Sequence, residues 1–163
     1  MTRLVVLADT HVRSGSARRL PDAAYAELGE ADAIWHAGDV LTRDLLDELT
    51  GFAPVTAVLG NNDRDLFGLL PDRVEEDVDG VRIAMVHDSG ATAGRARRMR
   101  RWFPDADLVI FGHSHVPLDD EGEDGQRLFN PGSPTERRRA PTHTLGIVEI
   151  EAGNLITRLV DLS

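Results

Sequence analysis

Two hydrophobic periods alternate along the first sixty residues. Residues 3–9, "RLVVLAD", are a continuous apolar run of strand length, the pattern of a parallel strand covered on both faces. Residues 20–31, "LPDAAYAELGEA", carry a helical pattern with Pro21 at an N-terminal position. Residues 32–39, "DAIWHAGD", read as a second strand. Residues 42–51, "TRDLLDELTG", read as a helix with Thr42 as its N-cap and Gly51 just past its end. Residues 53–60, "APVTAVLG", are a third strand, opened by Pro54. Strand–helix–strand–helix–strand predicts right-handed crossovers and a parallel sheet.

The second half has a different rhythm. Residues 72–88 form two strands around Asp79-Gly80, a strong hairpin signal. Residues 91–103, "ATAGRARRMRRWF", predict a helix, and residues 105–112, "DADLVIFG", another buried strand. Residues 119–126, "DDEGEDGQ", predict a polar turn. Residues 142–162 predict a final hairpin turning at Gly153-Asn154. There is no internal repeat, linker or low-complexity tract. The pattern predicts one α/β domain over residues 1–163, a two-sheet sandwich with β-hairpins finishing the second sheet.

Composition narrows the chemistry. At 163 residues the chain can bury a full core. No apolar stretch approaches the roughly 18 residues of a membrane span. The sequence opens directly on a strand rather than on a signal peptide, so a cytoplasmic location is expected. With no cysteine there is no disulfide framework and no thiolate metal site. The formal net charge of −10 argues against long nucleic acid as a partner. All 18 basic residues are arginine, which excludes Schiff-base chemistry and a lysine-dependent phosphate loop.

The polar residues just after the predicted strands stand out against this background. Asp9 and His11 follow the first strand ("ADTH"), Asp39 the second ("HAGD") and Asn61 the third ("GNND"). His87 ends the hairpin strand ("MVHD"), and His113 and His115 follow the last long strand ("GHSH"). Ligands gather outside the carboxyl ends of strands in open α/β sheets. In extended chain, residues i and i+2 share a side, so Asp9/His11 and His113/His115 could each deliver two ligands to one place. Gly38, Gly60 and Gly112 precede three of the sites and are expected to permit tight or left-handed turns.

Seven N/O ligands exceed one tetrahedral ion and fit two ions sharing a carboxylate, for which Asp39 is the natural bridge. Mixed imidazole and carboxylate donors suit Mn, Fe, Ni, Zn or Co rather than Ca or Mg, with Mn first.

The ordered set D-x-H, G-D, G-N-x-D, H and G-H-x-H resembles the calcineurin-like metallophosphoesterase superfamily. The short chain and "NPGSP" at residues 130–134 resemble its small YfcE-like phosphodiesterase branch. The resemblance implies a four-layer α/β/β/α sandwich, two mixed sheets flanked by helices. It implies one metal on Asp9, His11, Asp39 and His115, and another on Asp39, Asn61, His87 and His113. Asp9, Asp39, Asn61 and Asp63 would form the catalytic set, Asp63 by orienting a ligand or substrate. The implied reaction is hydrolysis of a small phosphodiester or nucleotide-like substrate by a metal-bridging hydroxide. Two departures stand out. Asn62 occupies a place where many superfamily phosphatases carry a histidine, and His87 is followed by "DSG", where glycine is usual. Asn62 and an arginine of the 137–139 triplet, Arg139 first, are the substrate-binding candidates, because guanidinium matches phosphate oxygens.

Other polar residues read as structural. His36 lies inside a strand pattern, and His143 starts one. The helix run Arg95, Arg97, Arg98, Arg100 and Arg101 is mostly the wet side of a helix whose other face carries Ala96, Met99 and Phe103. Two other classes remain open. One is a scaffold of the same fold, like the retromer subunit that has lost part of the metal set; the other is a nucleic-acid-binding protein. The intact ligand set favours the enzyme. The oligomeric state is open.

Overall fold

The computed structural model describes residues 1–163. Ten strands form two five-stranded sheets. The first contains β1 (Thr2–Leu7), β2 (Ala33–His36), β3 (Val55–Ala57), β9 (Thr144–Glu151) and β10 (Asn154–Asp161), in the order β10-β9-β1-β2-β3. The second contains β4 (Arg73–Val78), β5 (Val81–Val86), β6 (Leu108–Ile110), β7 (Leu118–Glu121) and β8 (Arg127–Asn130), in the order β4-β5-β6-β8-β7. Helices α1 (Asp22–Leu28) and α2 (Arg43–Thr50) link the parallel strands of the first sheet; α3 (Arg95–Trp102) links β5 to β6.

Period-two alternation builds the layers. On β1, Leu4 and Val6 enter the core between the sheets with Trp35, Ile83, Ile110, Phe129 and Val148. Val5 and Leu7 face the other way, against Leu28 of α1 and Leu45 and Leu49 of α2. Met99 of α3 and the adjacent Phe103 pack on Val86 and Val109 of the second sheet. Three apolar layers therefore hold the four-layer α/β/β/α sandwich together.

Several elements differ from the sequence reading. The C-terminal hairpin finishes the first sheet, not the second: β9 pairs antiparallel with β1, from Thr2 opposite Ile150 to Val6 opposite Gly146. The reason is burial. Leu145 and Ile147 of β9 enter the helix-side core while Val148 and Ile150 enter the inter-sheet core, so β9 needs cover on both faces. Its turn is centred on Ala152 and Gly153, both with positive φ, and Asn154 already pairs with Glu151. The polar run at 119–126 begins as strand, because Asp119 to Glu121 pair with β8. Thr42 does cap α2, accepting the Leu45 N–H at 3.4 Å. No helix is long and apolar enough to cross a membrane.

Candidate metal centre

The carboxyl ends of β1, β2, β3, β5 and β6 meet at one edge of the sandwich. Backbone hydrogen bonds join neighbouring strand ends within each sheet there: Asp9 N–H to Gly38 C=O at 2.9 Å in the first, and Gly112 N–H to His87 C=O at 3.0 Å in the second. His113 N–H donates to Asp9 Oδ2 at 2.9 Å, which links the two sheets and brings the first and fifth candidate segments together.

The ligands themselves carry the backbone strain. Asp9, His11, Asp39, His113 and His115 have φ between 47° and 75°. Each L-residue in this left-handed region costs about 1–2 kcal/mol, so the surroundings must hold the turns. This corrects two expectations. The pairs Asp9/His11 and His113/His115 are not extended; His115 faces Asp9 and His113 faces Asn61, the division that the family resemblance implies. Of the three glycines, only Gly38 has positive φ, at 99°. Gly60 and Gly112 are required for room, since a Cβ on Gly60 would collide with the Asp39 carboxylate and one on Gly112 would lie 2.9 Å from Ala8 Cβ.

Two groups of side chains converge. Asp9, His11 and His115 form one; Asp9, Asp39 and His87 form the other, and within each group the potential ligand atoms lie within 4.8 Å of one another. Asp9 is common to both. Asp39 Oδ2 lies between them, 3.4 Å from His11 Nε2 and 3.5 Å from His87 Nε2. Asn61 Oδ1 is 3.0 Å from His87 Nε2 and 3.3 Å from His113 Nδ1. All seven sequence candidates thus share one site.

The donor chemistry fits cations. Asp9 Oδ1, His11 Nε2 and His115 Nε2 are buried with no hydrogen-bond partner. His115 Nδ1 donates to the Glu136 carbonyl, which leaves the Nε2 lone pair facing Asp9 Oδ1 at 3.6 Å. Two acceptors facing one another in a dry site repel unless a proton or a metal ion lies between them. Burial lowers the pKa of both His11 and His115, keeping them neutral. Burial, reinforced by the Asp39 charge, pushes the Asp9 carboxyl up to about 7 against the pull of His87 and the His113 N–H. Asp39 is held below the usual carboxylate range despite burial, by hydrogen bonds from His87 and Asn62. His87 Nδ1 bonds the Ala37 carbonyl at 2.7 Å. Against the cost of burial, Asp39 and Asp9 raise its pKa.

Supporting residues surround this centre. The fully buried Asp63 carboxylate accepts the N–H groups of Asp39 at 2.8 Å and of Leu41 and Gly60 at 2.7 Å. It positions ligands and does not itself face the centre. The side-chain amide of Asn62 donates to Asp39 Oδ2 at 2.9 Å, so its present partner is a ligand. His36 is wholly buried, accepting from Gly38 N–H and bonding the Thr10 hydroxyl at 3.0 Å, as a structural residue does. All three arginines of the triplet are exposed, and the charge of Arg138 adds a small downward pull on the pKa of Asp9, His11 and His115.

Sequence reasoning missed the 130–136 loop as a clamp. Ser133 Oγ donates to the Asp9 carbonyl at 2.8 Å and accepts Glu136 N–H at 2.8 Å; Asn130 Nδ2 donates to the Gly112 carbonyl at 3.2 Å. The Glu136 carboxylate is 3.6 Å from His11 Nε2. The only local signal was "NPGSP", which marked a family and not a role. After His87, Arg98 Nε holds the loop through the Ser89 carbonyl at 2.7 Å, and Asp88 lies 4.0 Å from His113 Nε2.

A family model of the calcineurin-like phosphoesterase superfamily domain matches residues 2–153, and the chain belongs to that family. It is 35% identical over 135 residues to a probable metallophosphoesterase of Methanothermobacter thermautotrophicus, covering 82% of this chain and 77% of that protein. Among solved structures, Entamoeba histolytica Vps29 complexed with zinc aligns with a TM-score of 0.78 at 21% identity, over 99% of this chain and 100% of the other. An archaeal phosphodiesterase aligns with a TM-score of 0.69 at 19% identity, over 98% of this chain and 100% of the other.

Proposed function

We propose that this chain is a two-metal phosphodiesterase, with manganese its first-choice ion and the whole chain acting as one cytoplasmic domain. The observation that carries the reading is the convergence of Asp9 Oδ1, His11 Nε2 and His115 Nε2, all buried and partnerless. Asp9, His11, His115 and Asp39 would hold one ion; Asp39, Asn61, His87 and His113, with Asp9 in reach, would hold the other. When bound, such ions acidify water and draw charge from phosphoryl oxygens.

The chain's own residues supply the rest. Asp63 fixes the Asp39 turn through its backbone, and the Asn62 amide orients the Asp39 carboxylate. Arg138, exposed beside the centre, would add positive charge that favours an anionic substrate. Asn62 has no titratable proton, so it gives none to a leaving group. That favours diesters with stable leaving anions, and the fold likeness to an archaeal phosphodiesterase supports the same class.

The test is hydrolysis of bis(4-nitrophenyl) phosphate by chelated and Mn²⁺-reloaded protein, with metal content measured on the same samples. Activity should track the second equivalent of metal. Two bound metals without turnover of any diester would sink the enzyme reading. They would favour a scaffold, the reading that the likeness to Vps29 supports.

A further inference from the structure

A groove leads away from the metal centre on the side of His11 and Asn62. It consists of two adjoining hollows that share Arg13 and Leu41. One, about 320 Å³, is lined by His11, Arg13, Ser16, Arg18, Leu41 and Glu136. The other, about 260 Å³, is lined by Arg13, Ser14, Leu41, Thr42, Asn62, Arg64 and Asp65. Its walls touch the chemistry directly: His11 Nε2 is 3.4 Å from Asp39 Oδ2, and Asn62 N–H donates to Asp39 Oδ1 at 2.9 Å.

The groove's charge runs against that of the chain. The protein carries a formal charge of −10, yet three guanidiniums line this groove against two carboxylates, Glu136 and Asp65. Glu136 is engaged, 3.6 Å from His11 and 3.9 Å from Arg18. Asp44, just outside, is taken up by the Ser14 hydroxyl at 2.7 Å. Of the three guanidiniums, Arg18 is paired with Glu136, whereas Arg13 and Arg64 have no carboxylate within 4.0 Å and are exposed. Two unpaired, exposed guanidiniums beside a phosphoesterase centre are free to receive an anion, and their forked donors match phosphate oxygens.

We propose that Arg13 and Arg64 form a subsite for a second phosphate group of the substrate, separate from the phosphodiester that is cleaved. The inference rests on the phosphodiesterase reading and narrows it to diesters bearing a further phosphate, such as a terminally phosphorylated short oligonucleotide. An acidic chain with a local basic groove selects small polyanions while its remaining surface repels long ones.

The experiment uses Mn²⁺-loaded protein and dithymidine joined by a neutral, uncleavable methylphosphonate, with and without a terminal 5′- or 3′-phosphate. Calorimetric titration should show one phosphorylated form binding about tenfold more tightly than the unphosphorylated form, the scale of one charged hydrogen-bonded contact. In the Arg13→Gln/Arg64→Gln variant, with unchanged thermal unfolding, that preference should vanish. The cleavable dithymidylates should show the same preference in kcat/KM, carried by KM. Equal binding of all forms to wild type overturns the subsite. A preference that survives in the double variant also overturns it, because the phosphate then sits on the metals. Phosphate-dependent binding lost in the double variant, with bis(4-nitrophenyl) phosphate left intact, would support the subsite while sinking the phosphodiesterase reading.

Discussion

The Asp63 carboxylate accepts the backbone N–H of Asp39 at 2.8 Å, tying the turn after β2 to the turn after β3. Because the same carboxylate also takes the Gly60 and Leu41 N–H groups, one side chain holds three buried donors and a ligand turn in left-handed backbone.

Asp63→Ala leaves those three donors without their partner. The expected cost is about 3–5 kcal/mol of stability, given about 1–3 kcal/mol for each unsatisfied buried group. Metal affinity should fall about 10–100-fold, as when an outer partner of a ligand is lost. Denaturant unfolding of the chelated protein and a metal titration measure the two separately. Unchanged metal affinity would remove Asp63 from its positioning role.

Asp9→Asn should act in opposite directions with and without metal. In chelated protein the buried, partnerless Oδ1 is a liability, and neutralising it should raise stability by about 1 kcal/mol. Wild type should gain about 2.7 kcal/mol at a metal concentration a hundred times its Kd, and the variant should lose most of that gain. Since Asp9 belongs to both ligand groups, its metal content should fall well below two ions per chain. Two ions held tightly by the variant would exclude Asp9 as a shared ligand.

The residues that converge at the candidate centre were legible in the sequence because parallel strands end at a common edge, and the polar residues after those ends are brought together there. Asp9, Asp39, Asn61, His87, His113 and His115 all follow apolar runs long enough to identify. Their geometry was not legible. Spacing alone put His113 and His115 on one side of an extended chain, but both residues are left-handed, and only the family resemblance gave them different neighbours. Glu136 and Ser133 reach the site only through the fold, from a loop more than 120 residues from Asp9. The placement of β9 beside β1 was equally hidden, since a hairpin's own pattern does not name the sheet it joins.

His36 predicts an acid sensitivity separate from the metal ligands. Burial, with His87 adding to it, lowers its pKa to about 3 from an ordinary value of 6.5. The folded state therefore binds fewer protons than the unfolded chain between those values. Its contribution is complete above pH 6.5 and is lost as pH falls toward 3, at about 1.4 kcal/mol per pH unit. Measured by denaturant unfolding in chelator, wild-type stability should fall more steeply than that of His36→Gln below pH 6.5. Parallel curves would mean that His36 takes up its proton without leaving the fold.

The last prediction concerns the leaving group. Asn62 carries no titratable proton, and its side-chain amide donates to Asp39 Oδ2 at 2.9 Å. A nitrophenolate departs as a stable anion and needs no acid, whereas an alkoxide does. General acid catalysis is worth about 10²–10⁴-fold, and its absence should appear as a deficit of that size for alkyl diesters. The measurement is kcat/KM of the Mn²⁺-loaded protein against leaving-group pKa, across aryl and alkyl diesters, with solvent isotope effects to establish that chemistry is rate-limiting. A steep decline is expected. A shallow one, with chemistry limiting, would mean that another residue delivers the proton; Asp88, exposed at the rim 4.0 Å from His113 Nε2, would be the first to replace.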